Sequence, residues 1–192
     1  MRKMVFATAV LAAALAAGEA NAQLPIPLSV EGRVDYAVPV RDFDDIVDEG
    51  MSWGVGASLG VSPGVGIYGT WSRTEFELED LQDAEVQDEG FSVGVTTSLP
   101  SVSGLAPWVG AGLVIHQFDF DDETDEDSDE DGIEEDLGFE VGGGLAIPLA
   151  PNVRLTPGIG YRQYGVDVGT LLGTAEFDVS YFTAGVGLNI SF

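Results

Sequence analysis

One segment of the chain carries carboxylates at a spacing that can hold a hard cation. Asp127, Asp129 and Asp131 alternate along Asp127-Ser128-Asp129-Glu130-Asp131-Gly132, which is the first half of a D-x-D-x-D-G calcium loop. Alternate carboxylates in such a loop converge on the ion, and the glycine allows the sharp bend that brings them together. This pattern predicts a calcium site, and the sequence indicates no other cofactor.

The rest of the segment decides which kind of calcium loop this would be. Gly138 occupies the position of the bidentate glutamate in the EF-hand pattern, so the segment departs from that pattern. Asp127 to Asp136 resembles thrombospondin type 3 calcium repeats, in which a later acid completes the coordination shell. Glu135 or Asp136 could supply that acid. The other interpretation, which the composition favours, is a hydrated, disordered polyanion without a bound ion, because D-x-D spacing arises easily by chance in so acidic a run.

The sequence offers few residues for catalysis. Cysteine is absent and His116 is the single histidine, which excludes disulfides, thiolate metal sites, cysteine nucleophiles and multi-histidine metal sites. Gln117 and Phe118 follow His116, so the His-x-Ser pattern of lipid A deacylases is missing. We interpret His116 as a polar residue of an interface or of a barrel interior, and expect no enzyme.

Charge is strongly one-sided and confined to a few segments. The chain has 7 Lys and Arg against 33 Asp and Glu, a net charge of -26, which leaves no basic patch for nucleic acid. Segments 41–50, 73–90 and 117–137 contain 26 of the 33 acids. The excess of acids has an alternative explanation that is not specific to this protein, namely adaptation of the whole proteome to salt.

The first 22 residues have the three parts of a secretory signal peptide. Arg2 and Lys3 form the positive region, Met4 to Ala17 the apolar region, and Ala20-Asn21-Ala22 the small-residue cleavage site. The alternative is an N-terminal membrane anchor, but the apolar run is shorter than the ~20 residues that a spanning helix needs. We expect cleavage of residues 1–22 and one domain over residues 23–192.

Apolar and small or polar residues alternate with a period of two in eight runs after residue 23. Met51-Ser52-Trp53-Gly54-Val55-Gly56 is typical. A soluble β-sandwich, the alternative, would place Ser, Thr, Lys and Glu rather than glycine on its outer face. Glycine suits the crowded interior of a narrow barrel. The pattern therefore predicts an all-β fold, an eight-stranded antiparallel up-and-down transmembrane barrel with its apolar residues facing lipid.

The connectors between the eight runs alternate in kind. Short, nearly uncharged connectors alternate with acidic ones, which are segments 41–50, 73–90, 117–137 and the more modest 165–174. In an up-and-down barrel every second connector emerges at the same end. We therefore expect one acidic rim, and both termini at the other, neutral rim.

The end of the chain carries a family signature. Gly187-Leu188-Asn189-Ile190-Ser191-Phe192 matches a C-terminal assembly signal with a glycine, an apolar residue and a terminal aromatic, here Gly187, Ile190 and Phe192. With this ending, the mature chain resembles the small bacterial outer-membrane β-barrels of the OmpA transmembrane domain and OmpX type. The resemblance implies insertion by the β-barrel assembly machinery, contact with outer-membrane lipid and lipopolysaccharide, extracellular acidic loops, periplasmic termini and a monomer.

Eight strands leave an interior only wide enough for side chains, which disfavours a porin-like channel. The inward positions supply three acids and three bases, and buried charges must be paired. With a tight turn near Ala150, Glu140 should face the region of Gly160 and lie diagonal to Arg162. We interpret these residues as a structural ion-pair network, with a gate or proton path as the alternative. The predicted network is Glu31, Arg33, Asp35, Glu140, Arg154 and Arg162.

Large aromatic residues of the outward parity lie near strand ends, as in the aromatic girdles of membrane barrels. They are Tyr36, Trp53, Trp71, Phe91, Phe139, Tyr161, Phe182 and Phe192. We expect an outer-membrane barrel with a structural or surface-interaction role. The alternatives are a lipid-modifying enzyme at the outer rim, which would lose activity on His116→Ala, and an adhesin or receptor.

Overall fold

The computed structural model describes residues 27–78, 85–120, 134–135, 137–170 and 173–192. Nearly all of these residues lie in β-strands, and a single 3₁₀ turn, Arg41–Phe43, follows the first strand. The strands are β1 (Leu28–Pro39), β2 (Val47–Ser62), β3 (Val65–Leu78), β4 (Glu85–Ser98), β5 (Ala106–Phe120), β6 (Glu134–Glu135), β7 (Leu137–Ala150), β8 (Val153–Thr170) and β9 (Gly173–Ser191). Among the described residues there is no helix long and apolar enough to cross a membrane. The predicted signal peptide, residues 1–22, lies outside them.

The strands close into a barrel in chain order. Each long strand pairs antiparallel with the next, and β9 pairs with β1, for example Val186 with Val34. The two-residue β6 pairs with β8 beyond the end of β7. The predicted eight-stranded antiparallel up-and-down barrel is therefore confirmed. We call the end where β1 joins β2 the acidic end, and the end where β2 joins β3 the neutral end.

The two side-chain parities point as the alternation predicts. Apolar residues of the outward parity are exposed, as at Val93 (61%) and Ile159 (70%). Glycines of the inward parity make room for larger neighbours. Gly94 faces Gly112 across β4 and β5, and a β-carbon at either position would lie 2.6 Å from the Tyr68 hydroxyl. Backbone carbonyl oxygens of the paired strand, Ala111 for Gly94 and Val93 for Gly112, also lie too close for a β-carbon, so only glycine fits at these two positions.

The strands are longer at the acidic end than the charge pattern predicted. Much of the segments 41–50, 73–90 and 165–174, predicted as connectors, is strand: β2 begins at Val47, β3 ends at Leu78, β4 begins at Glu85, and β8 and β9 extend to Thr170 and from Gly173. β5 also continues to Phe120, within the predicted connector 117–137. These bounds of the connectors are wrong, because charged residues at this end also lie on the outer face of strands.

Strands continue into the acidic segments because the face that carries apolar residues changes along the strands, from the outer face of the sheet to its inner face. In β3, the outward residues after Trp71 are Arg73 and Glu75, and the inward residue Phe76 is fully buried. β4 repeats the change, with Glu89 outward and Val86 inward and buried. Toward the acidic end the barrel thus has a charged outer face and an apolar interior, as a water-soluble barrel would.

Candidate functional site in the barrel interior

The first group of interior charges lies on β1 alone. Arg33 donates hydrogen bonds from Nε and Nη2 to the two carboxylate oxygens of Asp35, at 2.7 and 2.6 Å. Its Nη1 also donates to Glu31 Oε1 at 3.1 Å. The three residues alternate along one strand, so β1 directs all of them inward. This bidentate arrangement places Arg33 between two acids, of which Asp35 is buried and Glu31 is partly buried.

A second group crosses the barrel and centres on Arg162. Arg162 Nη2 donates to Glu140 Oε2 at 2.9 Å, and the Tyr68 hydroxyl donates to Glu140 Oε1 at 2.7 Å. Arg162 Nη1 lies 3.0 Å from both Ser72 Oγ and the Tyr181 hydroxyl. Four strands, β3, β7, β8 and β9, therefore meet through one guanidinium group, whose several donors allow this.

The same guanidinium group reaches the single histidine. Arg162 Nη1 lies 3.2 Å from His116 Nε2, and His116 Nδ1 bonds to Asp88 Oδ1. Tyr181 donates to the other Asp88 oxygen at 2.8 Å. A guanidinium can only donate, so Nε2 faces a hydrogen-bond donor, whereas Nδ1 faces the carboxylate of Asp88. Both ring nitrogens of His116 therefore have polar partners inside the barrel.

The hydrogen-bonded groups around Arg162 form a polar layer across the barrel. Between this polar layer and the acidic end, apolar side chains fill the interior. We call them the apolar plug. Phe43, from the 3₁₀ turn, packs edge-on against Phe76 with ring centres 5.1 Å apart, and Phe76 packs in the same way against Tyr181 at 5.3 Å. The plug consists of Ala37, Phe43, Val47, Phe76, Val86, Val114, Tyr164, Val166, Val179 and Tyr181.

Below the polar layer, the interior is open. A cavity of about 880 Å³ extends from Arg162 and Tyr68 to the turn at Pro63 and Gly64 at the neutral end. Arg154 and Trp108 also line it. The interior therefore forms a vestibule at the neutral end, which the polar layer and the apolar plug separate from the acidic end.

The outer face carries a ring of aromatic side chains. The ring lies at the level along the barrel where the apolar residues change from the outer face to the interior. Trp53 and Trp71 pack edge to face with ring centres 4.8 Å apart. Farther around the barrel, Tyr161 lies 5.0 Å from Phe182 and 6.1 Å from Phe139. Trp71 Nε1 donates to Glu89, one step toward the acidic end, at 3.3 Å. Apolar, aromatic and charged residues thus follow one another in bands along the outer face.

Solved structures share this architecture. Neisserial surface protein A is 16% identical with a TM-score of 0.63, over 86% of this chain and 97% of that one. OprG from Pseudomonas aeruginosa is 14% identical with a TM-score of 0.57, over 86% and 95%. The outer membrane protein AlkL is 15% identical with a TM-score of 0.55, over 86% and 90%. The fold is that of the small outer-membrane β-barrels. No model of a protein family matches the chain, and no curated protein matches its sequence.

Within this small outer-membrane barrel fold, the structure corrects one predicted pairing. Glu140 lies directly opposite Arg162, whereas Gly160 lies opposite Gly142. The prediction placed the turn near Ala150, but the turn is formed by Pro151 and Asn152, with a register shift between Pro148 and Ala150. A later turn moves β8 along β7, so the acid and base become direct cross-strand partners.

Arg154 stands apart from the predicted network. It donates from Nη1 to Ser191 Oγ at 3.2 Å, and within the described part of the chain it forms no ion pair. It lies at the neutral end, opposite Asn189. The structure therefore divides the six predicted residues into a triad on β1, the cross-barrel pair of Glu140 with Arg162, and Arg154 alone.

Sequence reasoning missed Asp88, Tyr181, Tyr68 and Ser72 as members of this network. Asp88 lies within the predicted acidic connector 73–90, although it shares the inward parity of Gly90 and Ser92. That parity was the signal that could have identified it, because the alternation of β4 continues through residue 88. Tyr181 likewise continues the inward parity of Thr183.

The predicted calcium residues cannot be placed in the same way. Asp127, Asp129, Asp131 and Asp136 lie outside the described residues, and Glu135 is described only as part of the backbone of β6. Over residues 27–78, 85–120, 134–135, 137–170 and 173–192, no three His, Cys, Asp or Glu side chains are grouped to hold a metal ion.

The three residues of the assembly signature lie on or beside the closing strand. Gly187 faces inward, where a β-carbon would lie 2.5 Å from Thr156 Oγ1. Ile190 faces outward and is exposed. The backbone N–H of Phe192 donates to the Leu28 carbonyl at 2.8 Å, which joins the last residue of the chain to the first strand.

Proposed function

We propose that this chain is an integral outer-membrane protein with a structural or surface-interaction role, and that it is a closed barrel rather than a channel. One observation carries the proposal: Arg162 and the apolar plug fill the interior between the vestibule and the acidic end. A solute path would have to break the bonds of Arg162 to Glu140 and Ser72 and displace packed rings. Breaking a buried ion pair costs several kcal/mol.

The outer face supports a membrane location. Large apolar side chains are exposed on every long strand. An apolar surface of this width is unfavourable in water. The aromatic ring lies between this apolar band and the charged band, where amphipathic rings favour the boundary of a bilayer. Both features fit a barrel whose middle lies in lipid and whose acidic end lies in water.

The orientation follows from the position of the charge. We propose that the acidic end is extracellular and that both termini are periplasmic, so that the acidic loops face lipopolysaccharide and the surroundings. The partners would then be outer-membrane lipid and the assembly machinery, with the barrel as a monomer. An enzyme gains no support from His116, because both of its ring nitrogens are bonded inside the barrel.

Two measurements test location and closure together. Outer-membrane fractions should contain a form that migrates faster on a gel before boiling than after it, and the purified barrel in planar bilayers should show no steady conductance. An Arg162→Ala variant is the matched comparison, because it removes the side chain that joins β8 to β3, β5, β7 and β9. A steady conductance in the unmodified protein would contradict the closed barrel.

Labelling of intact cells tests the orientation separately. An epitope inserted in 123–130 should be labelled on intact cells, and one inserted in 101–103 only after permeabilisation. The reverse pattern would overturn the orientation but leave the closed barrel standing.

A further inference from the structure

The wall of the vestibule that β8 forms carries polar groups without matching partners. The first inward positions of β8, counted from the neutral end, are Arg154, Thr156 and Gly158. Arg154 lies at the mouth and donates to Ser191, but it pairs with no acid in the described part of the chain. Thr156 is only 6% exposed, and its Oγ1 has no hydrogen-bond partner among the described residues. A cation and a buried hydroxyl group thus lie side by side on one strand.

Trp108 adds a donor to the same wall. It lies opposite Gly144 of β7, and Gly144 lies opposite Gly158 of β8, so the indole extends over two glycines. A β-carbon at Gly158 would lie 3.1 Å from Cζ2 of the indole. The indole Nε1 is buried and has no hydrogen-bond partner among the residues that the structure describes. Because an indole N–H can only donate, this group lacks an acceptor.

Glu31 supplies an acceptor on the adjoining wall. A β-carbon at Gly187 would lie 2.5 Å from Thr156 Oγ1 and 2.7 Å from Glu31 Oε1, so the two side chains flank one glycine. Arg33 binds Asp35 through two nitrogens and Glu31 through one. Two acids therefore share one base, and the carboxylate of Glu31, which lines the vestibule, has lone pairs for further donors.

These groups define the chemistry of a ligand. At the mouth, Arg154 attracts one negative charge. Deeper in the vestibule, Trp108 donates, Glu31 accepts and Thr156 can do either, a mixed set that hydroxyl groups satisfy because they both donate and accept. The cavity of about 880 Å³ has the size of a small-molecule site.

The charges of the interior limit the ligand to one negative charge. The acids and bases that line the vestibule are three of each, namely Glu31, Asp35 and Glu140 against Arg33, Arg154 and Arg162. Only Arg154 is without an acidic partner among them. A second negative charge on the ligand would therefore meet acids rather than a second unpaired base.

We propose that the vestibule binds a polyhydroxylated monocarboxylate, of the chemical class of the sugar acids. Its carboxylate bonds to Arg154 at the mouth, and its hydroxyl groups bond to Thr156, Glu31 and the Trp108 N–H. The polar layer closes the inner end of the vestibule, so the ligand enters and leaves by the same mouth. Entry from the periplasm rests on the orientation under the proposed function, whereas the site itself does not.

Titration calorimetry of the purified barrel in detergent micelles tests the class of ligand. Gluconate should bind saturably at one site. Sorbitol keeps the hydroxyl groups and lacks the carboxylate, and acetate does the reverse, so each should bind about tenfold more weakly or worse, since a charge-assisted hydrogen bond is worth about 1.5–3 kcal/mol. Inorganic phosphate shows whether any oxyanion is accepted.

Two substitutions test the placement of the ligand. Arg154→Gln should weaken gluconate binding about tenfold or more. Arg73→Gln is the matched control, because Arg73 pairs with Glu75 on the outer face, and it should leave the affinity unchanged. Trp108→Phe keeps an aromatic ring and removes the N–H, so it should weaken binding about threefold to tenfold.

Tryptophan fluorescence locates the ligand independently of affinity. In a variant with Trp53 and Trp71 replaced by phenylalanine, saturating gluconate should shift the emission of Trp108, because its N–H gains an acceptor. In a variant that keeps only Trp53, which faces outward and is 44% exposed, gluconate should leave the emission unchanged.

Each contrary result overturns a defined part of the proposal. Lack of saturable gluconate binding would overturn the site and leave these polar groups to water. Equal affinities for gluconate, acetate and phosphate would reduce it to a general anion site, and equal losses in the two arginine variants would reduce it to an effect of net charge. Heat-modifiable migration of each sample shows that the barrel has formed, so these failures are distinct from a failure of the proposed closed barrel.

Discussion

Glu140 and Arg162 face each other across the ladder of β7 and β8, and a hydrogen bond of 2.9 Å joins them inside the barrel. Both side chains are mostly removed from solvent, with 16% and 13% exposure. Arg162 is also the group through which His116 and Tyr181 are joined to Glu140. The pair is therefore the centre of the polar layer rather than an isolated ion pair.

Removing the base from this pair should destabilise the barrel. Arg162→Met leaves Glu140 buried without its counter-charge, so the free energy of unfolding should fall by about 3–5 kcal/mol. Arg73→Met is the matched control, because Arg73 pairs with Glu75 on the outer face, where an ion pair is worth about 0–1 kcal/mol. Urea titrations of both variants in lipid vesicles measure the difference, and equal losses would contradict the central role of Arg162.

Two glycine substitutions should have opposite effects. A β-carbon at Gly90 would collide with the His116 ring and the Ile115 carbonyl, so Gly90→Ala should destabilise the barrel by about 1–3 kcal/mol. A β-carbon at Gly32 would meet nothing within 4 Å. Gly32→Ala should be neutral or slightly stabilising, since glycine in a strand costs entropy. Folded yield and urea midpoint check both, and an unchanged midpoint for Gly90→Ala would show that the packing around Gly90 is loose.

Brominated lipids should distinguish the three tryptophans. Trp53 and Trp71 face outward at the aromatic ring, whereas Trp108 lines the vestibule. In variants that keep one tryptophan and carry phenylalanine at the other two positions, bromine on the acyl chains should quench Trp53 and Trp71 strongly and Trp108 weakly. Strong quenching of Trp108 alone would mean that the residues assigned as inward face lipid and that those assigned as outward face the interior.

Deletion of Phe192 should reduce assembly. By its resemblance to the family signature, the terminal aromatic belongs to the signal that the assembly machinery reads, and its N–H also bonds to Leu28. The amount of heat-modifiable barrel in the outer membrane should fall, with degraded or periplasmic chain left behind. Phe182→Ala, which removes an exposed aromatic from β9, the strand that ends just before Phe192, should keep a near-normal yield. An unchanged yield after the deletion would remove this role from Phe192.

Calcium should protect the acidic segment 117–137 from added protease if the D-x-D-x-D-G motif binds the ion. Replacing Asp127, Asp129 and Asp131 by asparagine should weaken this protection, because amides carry no charge to attract the cation. The protected fraction is measured by digestion of the refolded barrel with and without calcium.

The control for this experiment changes the same amount of charge elsewhere. Glu79, Asp80 and Asp83 in the segment 73–90 can be replaced by their amides together. An equal response of the two triple variants would mean general screening of charge, for which about 8 Å is the reach at physiological salt. No protection in either variant or in the unmodified protein would remove the calcium site.

The sequence alone determines the number of barrel strands and which residues point outward. The period of two is local, because successive side chains of a strand point to opposite faces. Val93 and Val95 alternate with Gly94, and no knowledge of a distant residue is needed to place them. The resemblance of the Gly187 to Phe192 ending then indicates the kind of barrel.

Only the tertiary structure decided which residues meet inside. The parity of β7 and β8 directs Glu140 and Arg162 inward, but their direct pairing depends on the turn at Pro151 and Asn152 and on the register shift beside it. A displacement of two residues keeps the parity and changes every partner. Local periodicity cannot detect such a displacement.

The burial of Phe43 and of Asp88 was likewise decided by distant contacts. In the sequence, both lie among acids, which indicates a solvated connector. In the structure, Phe43 packs against Phe76 and Asp88 bonds to His116 and Tyr181. The charged residues in these segments mostly lie on the outer face of the strands. The contacts in the interior are instead determined by residues from strands that are distant in the sequence.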